Sequence, residues 1–143
     1  MNPQETAGAA PHISVCICTL KRPALLRRLL EALVKQDTGG VFSFSIVVVD
    51  NDEAESARAI VEECRALSQV RITYCTEPRR NIALARNKAI QNAKGDFIAF
   101  IDDDEFPGNG WLGHLFATCR KYRASGVLGP VKPFFPQPPP EWL

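Results

Sequence analysis

Five short apolar runs alternate with four longer stretches in which apolar residues recur every three or four positions. The runs are ISVCIC (13–18), FSIVVV (44–49), VRITYC (70–75), FIAFI (97–101) and GVLGPV (126–131). Each is short, apolar and rich in β-formers, and each reads as a strand. After the first run, Pro23 stands where a helix can start without its N–H, and Leu26, Leu29, Leu30, Leu33 and Val34 follow at helical spacing. After the second, Asp52 with Glu55 three residues on has the form of a helix cap with its capping-box partner. That cap opens a helix over about 54–67, with Ala57, Ile60, Val61, Cys64 and Leu67 inward. A third helix runs from about 81 to 94 and stops at Gly95, a preferred residue just past a helix end. Trp111, Leu112, Leu115, Phe116 and Cys119 mark a fourth. The order βαβαβαβαβ predicts an α/β fold: a mostly parallel sheet with helices on both faces. In such sheets ligands bind beyond the carboxyl ends of the strands, at a topological switch point. That rule selects Cys18-Thr19-Leu20, Asp50-Asn51-Asp52 and Asp102-Asp103-Asp104.

Three features depart from a plain folded domain. Four acids, Asp102 to Glu105, follow directly on FIAFI. They are either a solvated turn or a site for a hard divalent cation, which relieves their repulsion and bridges phosphates. Continued strand geometry puts Asp102 and Asp104 on one side and Asp103 on the other. At 100° per residue, Ile82, Ala85, Ala89 and Ala93 share one helical stripe with Arg86 in its middle and Leu84 opposite. A guanidinium facing the core needs an internal acid or a bound anion. Asn87 flanks it, and Arg79 and Arg80 read as a solvated pair. Asp50 and Asn51, at the end of the second strand, could hydrogen-bond a nucleobase or ribose, against the simpler reading of capping by Asp52.

Composition narrows the picture. A chain of 143 residues with 45% hydrophobic content suits one domain. A net charge of +1 gives no reason to expect nucleic acid as a partner. The five cysteines lack a CxxC pair and read as reduced thiols, mostly in the core, in a reducing compartment. The N-terminus lacks the pattern of a signal peptide, and no apolar run approaches the roughly 20 residues of a spanning helix. A cytoplasmic chain, or one peripheral at the inner face of the plasma membrane, is expected. Residues 1–12 form an N-terminal arm, 13–131 the folded domain, and 132–143 a proline-rich exit expected to lead into a further region. GxGxxG, GxxxxGK[ST] and GxSxG are absent from the sequence. His12, in the arm, and His114 lack zinc-ligand spacing.

Four segments together resemble the nucleotide-sugar-binding part of family 2 glycosyltransferases with the Rossmann-like GT-A fold. They are ISVCICTLKRP, FSIVVVDNDEAES, EPRRNIALARNKAIQNAKGD and FIAFIDDDEFPGNGWL, in that order. VCICTLKRP is further similar to bacterial exopolysaccharide enzymes of the succinoglycan type. The resemblance implies inverting transfer of a sugar from a nucleotide-diphosphate sugar, foremost a UDP-sugar, to a glycan or lipid-linked acceptor, with Mn2+ or Mg2+ as cofactor. It places Thr19, Lys21 and Arg22 in the turn lining the nucleotide, and Asp50 and Asn51 on the base and ribose. Arg86, with Asn87 beside it, approaches the diphosphate. Asp102, Asp103 and Asp104 form the DXD cluster: Asp104 is the leading direct metal ligand, Asp102 serves the ribose or the surroundings of the metal, and Asp103 contacts the substrate. Asn51 departs from the family's common aspartate, and Lys21 from its usual asparagine. No catalytic base is assigned within these residues; one is expected beyond Leu143. A catalytically incomplete nucleotide-sugar-binding fragment, or an inactive relative, is the alternative. A signalling receiver domain needs an acid pair where Thr19-Leu20-Lys21 stands, and a nucleotidyltransferase needs a glycine-rich first turn.

Overall fold

The computed structural model describes residues 9–135 and 137–139. Four strands, β1 (His12–Thr19), β2 (Ser43–Asp50), β3 (Ile72–Thr76) and β4 (Phe97–Phe100), form one parallel sheet in the order β3-β2-β1-β4. Between and after them lie α1 (Pro23–Leu33), α2 (Arg58–Leu67), α3 (Ile82–Asn92) and α4 (Trp111–Tyr122). The chain walks from β1 outward through β2 to β3, then crosses to the other side of β1 for β4. The switch point is therefore between β1 and β4. The contacts divide into two compact units, Met1–Gly113 and His114–Leu143. The first holds the sheet. In the second, α4 ends and residues 124–135 are neither helix nor strand. The fifth strand expected at 126–131 is not formed, and Leu128 there is fully exposed. The proline-rich exit falls partly outside the described residues, as does most of the N-terminal arm. Among the described residues no helix is long and apolar enough to cross a membrane.

Both faces of the sheet are covered, for different reasons of size. On one face Cys16, Val47 and Val49 meet Ala85 and Ala89 of α3, with Cys18, Cys75 and Ala93 at the margin. Small residues on both sides let α3 lie close to the strands. Strand alternation turns Val15, Ile17, Ile46 and Val48 to the opposite face, where all are fully buried. There Tyr74 stacks under Arg58 of α2, and α1 packs against α2 through Leu26, Leu29, Leu30 and Leu33, all inaccessible to solvent. Each such leucine contributes about 1.5–3 kcal/mol relative to an exposed one.

Several local expectations change. His12 belongs to β1, not to an arm; its ring nitrogens bridge the Ser43 and Ser45 hydroxyls of β2. Cys16 is fully buried and Cys18 and Cys75 pack against its cluster, while Cys64 and Cys119 are partly buried elsewhere, so three of the five free cysteines border the core. Leu67, at the last position of α2, is 90% exposed rather than inward. Asp52 does not cap α2. The helix starts at Arg58 without a side-chain cap, and the Ala57 N–H just before it bonds to Asp50 Oδ2 at 2.8 Å, an anchor reaching from the strand end. Asp52 instead accepts from the Ala54 N–H in the intervening turn. Gly95 is not a left-handed helix stop, since α3 ends at Asn92 with Ala93 extended. A Cβ at Gly95 would lie 2.6 Å from the His12 carbonyl oxygen and 2.8 Å from the Ser14 nitrogen. The glycine is there because β1 passes against it, and Ser14 Oγ accepts its N–H. Gly95→Ala is expected to lower the unfolding free energy by about 1–3 kcal/mol through overpacking against backbone; an unchanged urea midpoint would contradict this account of the site.

Candidate functional site

At the switch point the ends of β1 and β4 are tied together by a buried hydrogen bond. Thr19 Oγ1 donates to Asp103 Oδ2 at 2.7 Å. This turns Asp103 into the protein, where it is 5% exposed, while Asp102 and Asp104 turn outward with side chains 68% and 54% exposed. The opposite-side expectation for Asp103 is met by a turn, not by continued strand. The Glu105 N–H bonds to the Asp102 carbonyl, and Glu105 Oε2 accepts from the Asp102 N–H, so Glu105 shapes the turn. Arg28 of α1 stacks on the Phe106 ring 3.7 Å from its centroid and anchors the chain beyond.

A cleft of about 410 Å³ opens above these ends, lined by Cys18, Thr19, Leu20 and Arg22 from β1 and its turn, Asn51 just after β2, and Asp102, Asp103 and Asp104 from the turn after β4. Arg80, Asn81 and Ile82, at the start of α3, close its other side. The size suits a small-molecule ligand. Two arginines hold its acids. Arg22 Nη1 lies 3.2 Å from Asp103 Oδ1 and 3.3 Å from Asp104 Oδ2. Arg86 Nη2 lies 3.6 Å from Asp102 Oδ1. Arg86 is not core-facing as the stripe predicted: its side chain is 51% exposed. The buried stripe is Ala85 and Ala89, and Arg86 projects from its edge to an acid on the neighbouring strand end.

At the β2 end Asn51 lines the cleft, whereas Asp50 lies behind it in the wall. Asp50 is fully buried, and its carboxylate accepts from the Asp52 and Ala57 N–H groups and from the Tyr74 hydroxyl at 3.0 Å. Burial first, then this carboxylate, pushes the Tyr74 phenol well above its usual range. Asn51 Nδ2 donates to the Glu77 and Arg79 carbonyls at 2.6 and 2.7 Å, and its Oδ1 accepts from the Asn81 N–H. One amide thus pins the whole loop before α3. Lys21, with a left-handed φ of 55°, reaches Asp52 at 3.9 Å and does not line the cleft; nor does Asn87, exposed on α3. Arg79 and Arg80 are both exposed, as expected for a solvated pair, but each also has a specific position. Arg79 grips Glu77 through two nitrogens, which holds that buried carboxyl below its usual range, while Arg80 lines the cleft. Cys18, at the cleft floor, has its thiol pushed to about 11 by burial, so it stays protonated at neutral pH.

Sequence reasoning missed Arg80, Asn81 and Ile82 as cleft residues. The signal available was Asn81 directly before the helical run. Its Oδ1 caps Ala83 and Leu84, which sets the helix start against the cleft.

A parallel sheet with helices on both faces and a charged cleft at its switch point defines a doubly wound α/β protein with its ligand site at that point. Residues 14–143 match the profile of "Glycosyl transferase family 2", and the chain belongs to that family. It is 39% identical over 132 residues to the "Succinoglycan biosynthesis protein ExoM" of Rhizobium meliloti, covering 92% of this chain and 42% of that protein. The chain therefore spans less than half the length of this curated relative. Its fold is similar to that of the mannosyltransferase PcManGT from Pyrobaculum calidifontis, solved with GDP-Man and Mn2+ (TM-score 0.69, 22% identity, 82% of this chain and 36% of that one). It is also similar to S. aureus TarS 1–349 in complex with UDP-GlcNAc (TM-score 0.65, 22% identity, 84% and 37%). These likenesses establish the GT-A fold.

The geometry calls for an amide at Asn51, whose nitrogen meets two carbonyl oxygens while its oxygen meets an N–H. Asn51→Asp would set a carboxylate against two carbonyl oxygens. It should lower the unfolding free energy by roughly 2–3 kcal/mol in urea titrations. An aspartate variant as stable as the parent would mean that the loop is held by other contacts.

Proposed function

We propose that this chain carries the donor-binding part of a glycosyltransferase that moves a sugar, with inversion, from a nucleotide-diphosphate sugar to an acceptor hydroxyl in bacterial surface-polysaccharide synthesis. The observation that carries the reading is the convergence of Asp102, Asp103, Asp104, Arg22 and Arg80 on one cleft at the β1–β4 switch point. UDP-sugars are the favoured donors, since TarS was solved with UDP-GlcNAc; PcManGT, solved with GDP-Man, makes GDP-sugars the comparison.

The residues fit a divalent cation. Asp102 and Asp104 are hard oxygen donors, both more than half exposed and both lining the cleft. Among the described residues no three ligating side chains converge, so diphosphate and water oxygens would complete the shell, as Mg2+ and Mn2+ commonly require. Held by Asp104 and Asp102, Mn2+ or Mg2+ would supply positive charge where the leaving diphosphate gains negative charge. The chain's own part is to position and to balance charge. Asp103 fixes Thr19 at the cleft floor, and Arg86 holds Asp102. Arg22 and Arg80 bring guanidinium groups suited to phosphate oxygens. Asn51 keeps the facing wall in place. The acceptor is a glycan or a lipid-linked sugar, and its hydroxyl is deprotonated by a carboxylate beyond Leu143.

UDP-GlcNAc with Mn2+ should raise the melting temperature of the chain, by the equivalent of about 2.7 kcal/mol at a hundred times Kd. Neither component alone should match it. Asp104→Ala should abolish the joint effect without altering the circular dichroism. No metal-dependent shift with UDP- or GDP-sugars would remove the donor-site reading.

A further inference from the structure

The arrangement around Arg22 points to a regulated exchange of cations within the cleft. Its Nη1 alone approaches both Asp103 Oδ1 and Asp104 Oδ2, so a single positive centre joins the two carboxylates. Asp103 has a second anchor in Thr19. Among the described residues Asp104 has no side-chain partner other than Arg22. Arg22 is also fixed at its backbone. It follows Lys21 in the left-handed region, precedes Pro23 at the first position of α1, and its carbonyl accepts from the Leu26 N–H. Only the side chain is free to move, and at 53% exposure its ion pairs are of the weak, solvent-screened kind.

We propose that Arg22 is an internal competitor for the divalent cation: its guanidinium neutralises Asp104 in the empty cleft and is displaced from it to a phosphate of the arriving nucleotide. This inference rests on the donor-site reading and adds an order to it. Nucleotide and cation bind cooperatively because the nucleotide offers the guanidinium a new anionic partner and so uncovers Asp104. Without nucleotide, Arg22 weakens the metal site. Arg22 is thus a positioning residue whose loss should improve one ligand's binding while harming the coupling between two.

The test is calorimetric titration of the whole chain with Mn2+, with and without UDP, for the parent, Arg22→Gln and Asp104→Asn. Arg22→Gln should bind Mn2+ alone about fivefold more tightly, the equivalent of roughly 1 kcal/mol for an exposed ion pair. UDP should tighten Mn2+ binding in the parent and much less in Arg22→Gln. Arg22→Met serves if the glutamine variant does not fold. If Asp104→Asn loses Mn2+ but removing Arg22 leaves Mn2+ affinity unchanged or weaker, the exchange is wrong while the donor site stands. If the parent binds no Mn2+, or Asp104→Asn binds it normally, both fall.

Discussion

The buried hydrogen bond from Thr19 to Asp103 is the contact on which the cleft depends. It closes the gap between β1 and β4 just where their ladder ends, since the last paired residues are Cys16 and Phe100. Because Asp103 is drawn inward, its two acidic neighbours are turned outward on one side of the turn. Three adjacent carboxylates then become tolerable: one is neutralised within the protein, and two lie in solvent beside arginines. The same bond places the cleft floor at the point where the chain reverses its order in the sheet, which is where an α/β fold has room for a ligand.

Around that contact the protein uses polar side chains as rivets for loops. Asp50 ties the β2 end to the start of α2 and to Tyr74, and Asn51 ties it to the loop before α3. Charge in the cleft is close to balance, with acids from the β4 turn facing arginines from the β1 turn and from α3. On the proposed reading, such a site holds an anionic ligand and a cation together better than either alone. That fits the glycosyl transferase family to which the chain belongs.

Strand and helix positions were legible because their periods are unambiguous: the leucines of α1 and the unbroken apolar runs of β1 and β2 allow one reading each. The acidic run was legible as a site, since four carboxylates after a buried strand demand an explanation. What failed did so for specific reasons. Arg86 shares a stripe with three alanines, but the close approach of Ala85 and Ala89 to Cys16, Val47 and Val49 narrows the buried arc and leaves Arg86 at its rim. The chain entering α2 is held by Asp50, seven residues before the N–H it binds, beyond the reach of a local cap rule. The inward turn of Asp103 depends on Thr19, 84 residues away. The strand expected at 126–131 has the residues of a strand but no ladder partner in its unit, and composition alone does not supply one.

The central claim is that diphosphate and cation meet above the ends of β1 and β4. The most direct measurement is paramagnetic line broadening in the amide NMR spectrum of the labelled chain, with UDP present and Mn2+ added in trace amounts. The account predicts that signals from Cys18 to Arg22 and from Asp102 to Glu105 broaden first, while those around Leu67 at the end of α2 stay sharp. Broadening centred away from the β1 and β4 ends, or spread evenly over the chain, would contradict it.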